Sequence, residues 1–178
     1  MKTIIVTGSA GFIGSAVCVK LLERGENVVG VDNHNNYYDP KIKDARLERL
    51  VKHSNYQHFK IDLSEQGDLE KVFKSCKPKM VVNLAAQAGV RYSIKNPLTY
   101  IKSNIVGFAH ILENCRHYDI EHLVYASTSS VYGANSKKPF SEHDSVNHPL
   151  SVYAATKKSN ELMAHTYSYL YKLPTTGL

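Results

Sequence analysis

The chain alternates short β-branched runs with segments whose apolar residues recur every three or four positions. The first pattern reads as strand and the second as amphipathic helix. Residues 2–7 predict a strand that stops at Gly8. Residues 12–24 predict a helix with Ile13, Val17, Leu21 and Leu22 on its apolar side. A second strand is expected over 27–32. Residues 39–52 form a charged helix, with Asp39 as cap and Pro40 at its first position. Strands over 56–61 and 79–84 flank a helix over 64–75, for which Ser64 is the candidate cap. A glycine-containing loop covers 86–95. From Asn96 as cap, one long helix is expected over 97–117, because Ile101, Ile105, Phe108, Ile111, Leu112 and Cys115 make one apolar stripe. A fifth strand covers 123–126 and a turn-rich segment 127–149. The last helix runs from Ser151 to about Lys172. Pro174 ends it, and residues 175–178 read as a sixth strand just starting.

Strands alternating with helices imply right-handed crossovers. The fold class is therefore α/β: a Rossmann-type, doubly wound parallel sheet with helices on both faces. At 178 residues, one domain spanning 1–178 is expected. An apolar fraction of 43% against 21% charged excludes a disordered or collagen-like chain. No apolar stretch approaches the roughly 18 residues of a membrane span, and the start offers no apolar core for a signal peptide. Cys18, Cys76 and Cys115 are widely spaced, so reduced thiols in a cytoplasmic protein are expected. Nine histidines are scattered without an HxH or HExxH pattern, and no metal site is expected. The net charge of +6 comes from paired lysines, not from a concentrated patch. That argues for a small anionic ligand such as a nucleotide, and against nucleic acid. Stopping at a strand start, without a polar tail, the chain reads as a fragment of something longer.

Residues 7–14, Thr-Gly-Ser-Ala-Gly-Phe-Ile-Gly, fall between the first strand and the first helix. Glycines there permit a tight turn and let the backbone approach a pyrophosphate, which the helix N-terminus then holds. The spacing is GxxGxxG, not the commoner GxGxxG. Asp32 ends the second strand, where an acid accepts the hydroxyls of an adenosine ribose. The next residues, Asn33, His34, Asn35 and Asn36, offer no Lys or Arg to a 2′-phosphate. NAD is therefore favoured over NADP.

Tyr153 and Lys157 stand four apart on the last helix, hence on one face. A free tyrosine titrates at about 10, too high for a base at neutral pH, and an adjacent ammonium stabilises a phenolate. Such a pair can take the proton of a substrate hydroxyl. Alone, the spacing is mostly that of an ordinary solvated helix face. Ser127, Thr128, Ser129 and Ser130 add weight, because they follow the fifth strand. Ligands of an open parallel sheet bind at the C-terminal strand ends, where the glycine turn also lies.

These residues, with Asp62-Leu63 and NLAA at 83–86, resemble the extended short-chain dehydrogenase/reductase family over the whole chain. Within it, AAQAGVRYS (85–93), SSVYG (129–133) and YAATKKSNELMAHTYS (153–168) are similar to bacterial UDP-glucuronate 4-epimerases. The resemblance implies that Gly8, Gly11, Phe12, Ile13 and Gly14 hold the pyrophosphate of NAD. Asp32, Asn33 and Asn36 would hold the adenosine ribose, Asp62 and Leu63 would flank the adenine, and Leu84, Ala85 and Ala86 would line the cofactor channel. Asn104 joins the same cofactor set. Tyr153 would be the base, Lys157 would bind the nicotinamide ribose, and Thr128 would share the proton with the substrate hydroxyl. Gly89, Arg91, Ser129 and Ser130 would meet the UDP-sugar beside Thr128 and Tyr153. Asn83 replaces the His of many relatives, a departure expected to matter little. A homodimer through helices 97–117 and 151–172 is implied as well, as is a substrate-binding lobe after residue 178.

The related dehydratases carry an Asp-Glu pair after the catalytic Thr, and the decarboxylases a Glu before Val-Tyr-Gly. Here those positions hold Ser129 and Ser130. The expected chemistry is oxidation and re-reduction at C4, an epimerisation that converts UDP-glucuronate to UDP-galacturonate through a 4-keto intermediate. The alternatives are a 4-epimerase of UDP-N-acetylhexosamine or UDP-galactose, an NAD-binding module without activity, and a dehydrogenase with net turnover.

Overall fold

The computed structural model describes residues 2–65 and 67–178. Its first strand, β1 (Thr3–Thr7), shows how the sequence builds the sheet. Successive side chains of a strand point to opposite faces, and both faces of β1 are apolar. Ile5 enters one core, while Ile4 and Val6 enter the other. The next strand, β2 (Asn27–Asp32), repeats this, with Val29 and Val31 on the first side and Val28 on the second. Such two-sided burial belongs to a parallel sheet covered by helices on both faces.

Four more strands complete it: β3 (Tyr56–Lys60), β4 (Met80–Asn83), β5 (His122–Tyr125) and β6 (Thr175–Gly177). All pairings are parallel, in the order β3-β2-β1-β4-β5-β6. The order reverses between β1 and β4, which opens a crevice beyond the carboxyl ends of those strands. Helices α1 (Phe12–Glu23) and α2 (Pro40–Leu50) cover one face, where Cys18, Leu22 and Leu50 meet Ile4, Val6 and Val28. On the other face lie α3 (Asp68–Cys76), the chain from α4 (Val90–Lys95) through α5 (Pro97–Tyr100) to α6 (Gly107–His117), and α7 (Val152–Tyr171).

Three elements differ from the sequence expectations. The helix expected from Ser64 begins at Asp68, because the Ser64 N–H and hydroxyl both donate to Asp62 Oδ1, at 2.9 and 2.6 Å. Ser64 thus fixes Asp62 instead of capping a helix. The loop expected over 86–95 contains α4. The single helix expected over 97–117 is interrupted by a π-helical segment, Ile101–Val106. The caps on the other two helices agree with expectation. Asp39 accepts the Lys41 N–H ahead of α2, and Ser151 accepts the Ala154 N–H ahead of α7.

Candidate nucleotide and catalytic site

The turn between β1 and α1 is held tight by backbone contact. The Gly11 N–H donates to the Gly8 carbonyl at 2.9 Å. A Cβ on Gly14 would lie 2.0 Å from that same carbonyl oxygen, so only glycine lets α1 start there. No side chain caps α1, leaving the N–H groups of its first turn for a ligand. The Thr7 hydroxyl donates to Asn83 Oδ1 at 2.7 Å and accepts the N–H groups of Leu84 and Ala85. That knot sets residues 84–86 opposite the glycine turn. Asn83 contributes through its side chain, not through the backbone alone.

Between these walls lies a cavity of about 350 Å³. It gathers Gly8, Gly11, Phe12, Asp32, Asn33, Asp62, Leu63, Leu84, Ala85 and Ala86, all singled out in the sequence. Ile13, Gly14, Asn36 and Asn104 do not line it. Asn104 sits behind the wall, where its amide bonds both the N–H and the carbonyl of Gln87, and Thr156 Oγ1.

Asp32 is buried at the cavity edge. Its Oδ2 accepts the Ala10 N–H at 3.2 Å, and its Oδ1 accepts the His34 N–H at 2.9 Å. A third donor was missed by sequence reasoning: Lys43 Nζ, also buried, lies 3.1 Å from Oδ1. Arg46 lines the same cavity, donating to Tyr38 Oη at 3.0 Å and the Ala10 carbonyl at 3.4 Å. No Lys or Arg follows Asp32 directly in the sequence, yet Lys43 pairs with it in space and Arg46 lines the same cavity. Both cations arrive from α2 and not from the residues after Asp32. The signal was a lysine on the inward stripe Lys43, Leu47, Leu50. Tyr37, Tyr38, Asn35 and Gln87 were missed as wall residues too. At the far wall, burial pushes the Asp62 carboxyl up. Hydrogen bonds from Ser64 and Asn33, aided by the charge of Lys102, outweigh that and hold it below its ordinary value.

Beyond the β5 end, Tyr153 and Lys157 share one face of α7. Lys157 is buried, and burial brings its pKa down to about 8 against an upward pull from Glu161. The Tyr153 ring meets the edge of Tyr100, centroids 6.1 Å apart. Tyr100 is fully buried and donates to the carbonyls of Ala88 and Gly89, at 2.7 and 2.5 Å. Thr128 begins a 3₁₀ turn, Ser129–Tyr132, and its hydroxyl accepts the Ser130 N–H at 3.2 Å. This turn packs on α7, and Ser127 Oγ ties it to Glu161 of that helix at 2.5 Å. Ser129 and Arg91 are exposed, and Ser130 is half-buried.

The profile of the GDP-mannose 4,6 dehydratase family matches residues 5–178. Protein CapI of Staphylococcus aureus is 61% identical over 175 residues, covering 98% of this chain and 52% of its own length. UDP-glucuronate 4-epimerase 4 of Arabidopsis thaliana is 48% identical over 177 residues, covering 99% of this chain and 40% of its own length. The chain thus spans about half the length, or less, of the curated relatives it matches. Among solved structures, the UDP-glucuronic acid 4-epimerase from Bacillus cereus, in complex with UDP-glucuronic acid and NAD, superposes with a TM-score of 0.91. It is 35% identical, and the match covers 98% of this chain and 55% of that one. A profile match running from the first strand to the last residue, on a sheet of this order, means that the chain belongs to the GDP-mannose 4,6 dehydratase family, within the extended short-chain dehydrogenases/reductases.

Proposed function

We propose that this chain is the NAD-binding and catalytic portion of a UDP-sugar 4-epimerase, acting on UDP-glucuronate to give UDP-galacturonate. The observation that carries the reading is the Tyr153–Lys157 pair at the β5 end, beside a 3₁₀ turn that carries serine at both positions where related enzymes place acids. The residues fit NAD. The open N–H groups of the first turn of α1 suit a pyrophosphate. Asp32 accepts three donors, and a carboxylate has about four lone-pair sites, so a ribose hydroxyl finds room. Val31, Ile61 and Leu63 give an apolar wall for a base.

The bound nicotinamide would supply reversible hydride acceptance at C4. The protein's part is to bind, orient and move one proton. Tyr153 takes the proton of the 4-hydroxyl and gives it back after the sugar turns over. The Lys157 ammonium, one helix turn along α7 from Tyr153 and shielded from water, stabilises the phenolate form that this requires. Thr128 hydrogen-bonds the same oxygen from the neighbouring turn. With Ser129 and Ser130 in place of acids, neither elimination nor decarboxylation has its general acid or base. Small hydroxyls there also donate to a sugar carboxylate, which a Glu would repel. The identities near one half with UDP-glucuronate 4-epimerases support that sugar. A homodimer in the cytoplasm belongs to the same reading, and no helix among the described residues is long and apolar enough to cross a membrane.

The test is incubation with UDP-glucuronate, following the anomeric protons by NMR. A UDP-galacturonate signal is expected. Turnover of UDP-N-acetylglucosamine or UDP-glucose alone would keep the mechanism and replace the substrate. Failure on all three would leave an NAD-binding module. Ser129→Glu should reduce kcat/KM for UDP-glucuronate by roughly tenfold or more through charge repulsion, and unchanged kinetics would remove Ser129 from the carboxylate site.

A further inference from the structure

Asp32 and Lys43 form an ion pair whose side chains are each 6% exposed, on the rim of the cavity. A buried pair of this kind is about neutral for stability against apolar residues of the same volume. Packing α2 on the sheet therefore does not account for it. The hydrogen bonds do. Oδ1 of Asp32 carries two donors, Lys43 Nζ at 3.1 Å and the His34 N–H at 2.9 Å. Oδ2 carries one, the Ala10 N–H at 3.2 Å. With about two lone pairs on each oxygen, Oδ1 is filled and Oδ2 keeps an open site. Ala10 belongs to the glycine turn, so the open oxygen is the one on the turn side. Lys43 is itself fixed, by Asn35 Oδ1 at 3.3 Å and by the Tyr38 ring beneath it, 5.4 Å to the centroid.

We propose that Lys43 is a positioning residue for ribose recognition: it fills Oδ1 and locks the Asp32 carboxylate, so that Oδ2 alone faces the hydroxyls of the bound adenosine ribose. Without the ammonium only the two backbone N–H groups hold the carboxylate, Oδ1 regains an open site, and the ribose hydroxyls are no longer directed to Oδ2 alone. The inference rests on the NAD reading above and extends it to a residue that never touches the reacting atoms. It also makes Lys43 a selectivity device, since its charge is spent on Asp32 and not free for a 2′-phosphate.

Calorimetric titration of the purified chain with three dinucleotides tests it: NAD, NAD whose adenosine is 2′,3′-dideoxy, and NADP. Wild type should bind NAD roughly tenfold to a hundredfold more tightly than the dideoxy analogue, as expected for hydrogen bonds to a charged acceptor. In Lys43→Met that ratio should fall below about threefold, with NAD itself weakened by a similar factor. A merely structural loss would weaken both ligands equally and leave the ratio intact, which overturns the proposal. Lys43→Gln, polar but uncharged, gives the same comparison if the Met variant does not fold. NADP binding wild type as tightly as NAD would also overturn it, because Lys43 and Arg46 would then be a phosphate site. Wild type binding none of the three would instead remove the NAD reading itself.

Discussion

Lys157 is buried at 3% exposure, yet the proposed chemistry needs it charged. Burial lowers its pKa from 10.5 to about 8, with Glu161 pulling upward. A base whose folded value lies below its unfolded one gives the native state fewer bound protons between the two. The stability is whole above pH 10.5, falls as pH drops towards 8, and levels below that. At pH 7 the native state carries the full penalty, on the order of 3 kcal/mol. Lys157→Met should therefore raise Tm at pH 7 by several degrees, at roughly 2–4 °C per kcal/mol for a chain of this size. Turnover should fall at least about a hundredfold. Scanning calorimetry at pH 7 and pH 10 checks the stability gain, which should shrink at the higher pH, and a turnover assay checks the loss of activity. No rise at pH 7 would mean that the site accommodates the ammonium without strain.

At the scale of elements, the π-helical segment Ile101–Val106 is the feature that joins the two halves of the site. It carries Asn104, whose amide bonds Gln87 and Thr156, 17 and 52 residues away, and whose carbonyl accepts Asn160 Nδ2 at 2.7 Å. One residue thus pins the β4 exit to α7. Asn104→Ala leaves the buried Gln87 amide unpartnered, and should cost roughly 2–4 kcal/mol. Urea unfolding should show a lower midpoint at unchanged slope, and an unmoved midpoint would mean that water replaces the amide. None of this was legible in the sequence, because the π turn answers to partners far along the chain. What was legible is local. Alternation gave the strands, Asp39-Pro40 and Ser151 gave two helix starts, and Gly8 with Asp32 gave one end of the cavity. Lys43 escaped because a lysine in an amphipathic helix reads as solvated unless its place on the inward stripe is noticed. Ser64 misled because its side chain had a nearer acceptor, Asp62, than a helix start.

At the scale of the whole molecule, α7 packs beside α5, the π segment and α6 on one side of the sheet, and the inner surfaces of these helices fill the larger core. Their outer surfaces carry exposed apolar side chains among polar ones. Leu98 is 79% exposed, Leu162 57% and Tyr169 71%. Leu98 stands one turn from Ile101, and Leu162 two turns from Tyr169, so each helix shows a pair of apolar side chains on one side and not a lone one. Scattered exposed apolar residues are ordinary, whereas contiguous ones mark contact surfaces. Two copies related by a twofold axis would bury both pairs against themselves, because an isologous interface uses one patch twice. A dimer of about 40 kDa is therefore expected from chains of 20.0 kDa. Leu98→Glu with Leu162→Glu should yield monomers, since it sets like charges in an apolar contact. The double variant should keep the wild-type far-UV spectrum, because neither side chain reaches the core. Sedimentation velocity at micromolar concentration decides the matter. A monomeric wild type, or a double variant that still sediments as a dimer, would show that these pairs face something other than a second copy.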